Sequence, residues 1–100
     1  MKIMALLTPK PGSAGEAFER LAAAEERAVW AAYRAGSLRE MYFQPEPTAV
    51  TLIFEAPDAP AVEAELAAFP MVRAGLLDIR TVTLGPWLPL EALFDRAHLR

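Results

Sequence analysis

The longest stretch of this sequence free of proline and glycine is residues 16–35, and breakers stand on both sides of it. Upstream, Thr8-Pro9-Lys10-Pro11-Gly12 holds two prolines and a glycine. Proline locks φ and removes an amide donor, so neither a strand nor a helix continues through that segment. Downstream, Gly36 suits the left-handed residue that ends a helix, and Arg34 brings a cation to the negative end of the helix dipole. The stretch predicts a long helix over about 13–35, with the Ser13 hydroxyl as N-cap and Glu16 as its capping-box partner.

Similar punctuation divides the rest. Residues 2–7, 38–43, 49–54 and 77–84 read as strands, the third rich enough in β-branched and aromatic residues to be central. Gln44-Pro45-Glu46-Pro47 is a turn. Asp58 is a plausible N-cap, with Pro60 near the first helical position of a second helix reaching about Phe69. One more helical turn after Pro70 ends at Gly75, and an apolar segment, 88–94, follows Gly85-Pro86-Trp87. The order is β-α-β-β-α-β. Two right-handed crossovers then place both helices on one face of a four-stranded antiparallel sheet, the ferredoxin-like α+β arrangement, in one domain over 1–100.

Such a sheet has a second face that the helices do not reach. If it met water, each strand would alternate apolar and polar residues. Strand one is apolar on both sides (Ile3, Ala5 and Leu7 against Met4 and Leu6), and strand three sets Val50, Leu52 and Phe54 against Thr51 and Ile53. Strand two reads as Leu38, Glu40 and Tyr42 against Arg39, Met41 and Phe43. With 54% hydrophobic residues in so short a chain, the second face calls for cover from a second copy, as a homodimer or a higher oligomer. The alternative is that the C-terminal segment folds back over its own sheet.

The charge pattern narrows the partners. The net charge is −3 and no Lys/Arg cluster is present, which argues against nucleic acid and anionic membranes. There is no cysteine, hence no disulfide, thiol nucleophile or thiolate metal site. The apolar opening is too short for a signal peptide and no run approaches a membrane span, so the cytoplasm is expected.

One residue breaks the helical pattern. Phe18, Leu21, Ala22, Val29 and Ala32 fall on one stripe of the first helix, and Glu25 falls in its middle. A carboxylate there needs a partner or stays protonated, and burial raises its pKa toward the range useful for proton transfer. Two other readings remain open: a structural acid bonded to Tyr42 or Arg39, or a helix rotated so that Glu25 reaches the rim. Asp78 and Arg80 lie two apart on strand four and are expected to pair, and His98 is expected to be exposed at the chain end. The sequence shows no phosphate loop, metal-spaced cluster or Ser-His-Asp set, which leaves carboxylates, Tyr, Arg and an apolar pocket to do any chemistry.

Ala24-Glu25, the run Tyr33-Arg34-Ala35-Gly36-Ser37-Leu38-Arg39-Glu40, Phe54-Glu55, Phe69-Pro70-Met71-Val72, Leu77-Asp78-Ile79 and Leu84-Gly85-Pro86 together resemble the muconolactone isomerase-like branch of the dimeric α+β barrel superfamily. The resemblance implies a protomer whose sheet pairs with a second copy, and proton transfer within an unsaturated lactone without metal or cofactor. It carries the helical glutamate onto Glu25 and the basic residue of strand two onto Arg39. Tyr42-Phe43-Gln44 departs from the family's Trp-Arg pair at that point. The expectation is a cofactor-independent isomerase-type enzyme acting on a small unsaturated lactone or enolisable carbonyl compound. Glu25 would move the proton, Arg39 would neutralise a substrate carboxylate or enolate, and Tyr42 would orient Glu25 or the substrate. Trp30, Tyr33, Phe43 and Phe54 would supply apolar walls. The rival is an oligomerising module of the same fold that binds a small apolar ligand without catalysis.

Overall fold

The computed structural model describes residues 1–95, so the expectation for His98 lies outside the described residues. The strands are β1 (Lys2–Pro9), β2 (Leu38–Pro45), β3 (Thr48–Glu55) and β4 (Leu77–Leu84). The helices are α1 (Gly15–Ala35), α2 (Ala59–Leu66) and the single turn α3 (Pro70–Arg73), and a 3-10 helix spans Leu88–Phe94. The sheet order is β2-β3-β1-β4 with every pairing antiparallel, the ferredoxin-like order.

Local chemistry explains most boundaries. Gly36 closes α1 at φ +96°, its N–H donating to Tyr33 O at 3.1 Å. Asp58 caps α2 by accepting from the Ala61 N–H at 2.9 Å. The expected cap of α1 is different. Ala14, not Ser13, is the N-cap and makes no side-chain bond there. The Ser13 hydroxyl instead donates to Leu76 O at 3.1 Å, tying the loop to the start of β4, beside the Lys10 N–H that donates to the same carbonyl.

The core lies between the helices and one sheet face. Ile3, Ala5 and Leu7 of β1 and Leu52 and Phe54 of β3 meet Ala32 of α1, Val62 and Leu66 of α2, and Phe69. Leu38 joins them because a β-bulge separates it from Glu40: Leu38 pairs with Phe54, but Glu40 pairs with Ile53. The bulge corrects the strand-two alternation. Leu38, Met41 and Phe43 share the helix side, while Glu40 and Tyr42 share the open side with Ile53 and Thr51. On that open side Met4, Leu6 and Val82 are half-buried and Ile53 is buried. The C-terminal segment does not shield it in the manner of a packed tail, since Trp87, Leu88, Leu93 and Phe94 all stay exposed themselves.

Candidate functional site

Glu25 stands midway along α1, on the stripe that faces the sheet. Its Oε1 accepts from the Met71 N–H at 2.9 Å. Met71 is the second residue of α3, where a helical amide has no partner within its own turn, so a carboxylate reaching in from α1 satisfies it. Among the described residues no other hydrogen bond engages this side chain, which leaves the second oxygen to the space beside it. Partial burial pushes the Glu25 carboxyl above the usual carboxylate range, and the Met71 bond pulls back against that shift.

The space is a cleft of about 640 Å³ between α1 and the helix side of the sheet. Its walls are Phe18, Ala22 and Val29 of α1, Leu7 of β1, Val50 and Leu52 of β3, and Phe43 of β2, with Met71 and Leu77 at one side. A shallower hollow of about 270 Å³, walled by Trp30 and Met41, shares Glu25, Glu26 and Val29 with it. The carboxylate therefore sits where two apolar spaces meet. Phe43, on edge strand β2, faces the larger and is itself largely exposed, so this wall is open to an incoming molecule.

The other proposed residues do not converge there. Arg39 follows the C-terminus of α1, which lies some ten residues of helix and roughly 15 Å beyond Glu25. Its Nε donates to Gly36 O, and its charge bears on Glu55, whose carboxyl is held below the usual range mainly by the N-terminal ammonium. Tyr42 lies on the opposite face of the sheet from α1 and donates to Glu40 at 2.6 Å, which raises its phenol pKa. It is Met71, not Tyr42 or Arg39, that bonds Glu25. Phe54 is fully buried between its sheet partners Ile3 and Leu38 and belongs to the core rather than to a cavity wall. Tyr33 packs on Trp30, with ring centroids 5.9 Å apart, and lines neither space. Asp78 and Arg80 form no ion pair among the described residues.

Leu7, Ser13, Thr48 and Val50 are not marked in the sequence as lining residues, nor is the Met71 amide marked as a partner of Glu25. Pro70 was the one available signal, since proline favours the first helical position and so marks the helix start, where the following amides have no intrahelical acceptor. Glu26, the next residue along α1, is exposed and also lines the cleft. Among the described residues, no group of three or more His, Asp or Glu is placed to hold a metal ion, and no helix is long and apolar enough to cross a membrane.

A four-stranded antiparallel sheet with both crossover helices on one side, and an acid-bearing cleft beneath the longer helix, define a ferredoxin-like α+β fold. No protein-family model and no curated protein matches the sequence. In structure the chain is similar to 5-chloro-2-hydroxyhydroquinone dehydrochlorinase from Burkholderia phenoliruptrix AC1100, solved in complex with 2,5-dihydroxybenzoquinone. That match has a TM-score of 0.70 at 17% identity and covers 85% of this chain and 94% of the other. Muconolactone isomerase matches with a TM-score of 0.68 at 21% identity, over 86% of this chain and 90% of the other. At these identities the likeness is one of fold: the chain has the protomer architecture of the muconolactone isomerase-like proteins.

Proposed function

We propose that the chain is a small-molecule enzyme of the proton-transfer, isomerase type, working without a cofactor on an enolisable or unsaturated carbonyl compound. The observation that carries this reading is Glu25: one carboxylate oxygen is anchored on a backbone amide while the rest of the group opens on a large apolar cleft. The anchor fixes the direction of the side chain, and a carboxyl raised by burial is a better base for taking a proton from carbon and returning it at another position. Phe18, Val29, Val50 and Phe43 would hold the substrate's carbon skeleton against it. The two structural neighbours, whose names describe an isomerase and a dehydrochlorinase, support small-molecule chemistry on this fold.

The half-buried apolar residues of the open sheet face support a homodimer in which two such faces pack together. The cytoplasm is the location this proposal assigns to the enzyme.

The Met71 bond also supports the second reading, in which Glu25 only fastens α3 to α1 in a ligand-binding module. Assaying shifts of a double bond in simple butenolides and β,γ-unsaturated ketones by ultraviolet absorbance separates the two. The enzyme reading expects turnover by the wild type and a loss of at least roughly 100-fold in Glu25→Gln with folding intact. Turnover that survives in Glu25→Gln refutes it.

A further inference from the structure

The charge of the cleft is more specific than its shape. Fifteen of the described residues line it, and the only charged ones among them are Glu25 and Glu26. None of the described lysines or arginines faces it. Arg39 is bonded to Gly36 O near the far end of α1, and Arg20, Arg27, Arg34 and Arg73 are exposed and do not line either space. The two lining hydroxyls are also committed as donors: Ser13 gives its proton to Leu76 O, and Thr48 gives its own to Pro45 O at 3.2 Å. A carboxylate-bearing molecule entering this cleft would shed its hydration, meet two acidic side chains and find, among the described residues, neither a cation nor a free hydroxyl donor.

We infer that the cleft selects an uncharged conjugated carbonyl compound, a lactone, ketone or ester without a free carboxylate. The inference rests on the proposal that this cleft is the substrate site and narrows the substrate class. It sets aside the expectation that Arg39 neutralises a substrate acid. Among the described residues the cleft also has no fixed cation for a developing enolate, so the compound would spread that charge over its own conjugated system or leave its oxygen in water. Release of the proton to Glu25 and its return at another carbon balances without any further reactant.

A matched pair tests this in the intact protein at pH 7: methyl trans-cinnamate and trans-cinnamate, which share a ring and a conjugated carbonyl and differ in charge. Binding is followed by ligand titration into labelled protein, with the amide signals of Val29, Phe43 and Met71 reporting the cleft. The ester is expected to bind roughly tenfold or more tightly than the acid, since a like charge a few ångströms away in a partly desolvated site is worth at least that factor. The double variant Glu25→Gln, Glu26→Gln is expected to narrow the ratio several-fold by improving binding of the acid. Equal binding of the two, tighter binding of the acid, or shifts by the ester that avoid these three amides overturns the inference. The measurement needs no turnover. An ester preference in a chain without Glu25-dependent catalysis would keep the charge rule and remove the isomerase reading.

Discussion

Replacing Glu25 in two ways divides its charge from its hydrogen bond. In Glu25→Ala the half-buried Met71 N–H loses its acceptor, and an unsatisfied donor costs about 1–3 kcal/mol. Water has access from the cleft and alanine is the better helix former by a few tenths, so the lower end, about 1 kcal/mol, applies. For a domain of this size that lowers Tm by about 4–8 °C. In Glu25→Gln the amide oxygen still accepts from Met71 while the desolvated charge is gone. The Glu25 pKa is raised on folding, so its contribution to stability is fully present below the usual 4.5 and is lost as pH rises through the folded value. Glu25→Gln removes that loss. It should be no less stable than wild type at pH 7, and its advantage over wild type should be larger at pH 7 than at pH 4. Thermal unfolding of the three proteins by circular dichroism at both pH values reads all of this. A Glu25→Gln variant as destabilised as Glu25→Ala, with the same deficit at pH 4 and pH 7, would refute the reasoning.

Three other substitutions probe the frame around the site. Phe54→Ala empties the middle of the core and should cost about 3–5 kcal/mol, enough to leave much of the chain unfolded in a denaturant titration, whereas Phe43→Ala should weaken ligand binding and leave the unfolding midpoint nearly unchanged. Asp58→Ala removes the cap of α2 and should cost about 1 kcal/mol by chemical denaturation, with Asp58→Asn recovering most of it. Leu6→Glu on the open sheet face should convert the proposed dimer to monomer in analytical ultracentrifugation, while the exposed helical change Arg27→Glu should not.

The order of elements was legible because prolines and glycines occupy the joints: Gly36 and Gly75, both at positive φ, end the helical segments where the sequence predicts. The facing of strand two was not. A bulge inserts one residue without a compositional mark, and it is the extra residue at Arg39 that carries Leu38 into the core and Tyr42 to the far side of the sheet. Glu25 could be singled out as an acid on an apolar stripe, because helical periodicity is local. Its partner could not, because that partner is a backbone amide 46 residues away that has no side-chain signature. Phe54 illustrates the same limit from the other side, since an aromatic on a strand looks alike in sequence whether it lines a cleft or fills the core.

The central claim is that Glu25 is a raised carboxyl facing a ligand-binding apolar space. The most direct test is a carboxyl-carbon NMR titration, with the Glu25 signal assigned by its absence in Glu25→Gln. The account predicts a midpoint above 4.5 in the free protein and a further rise when methyl trans-cinnamate fills the cleft and removes water from the group. A midpoint at or below 4.5 that does not respond to the ester would contradict it.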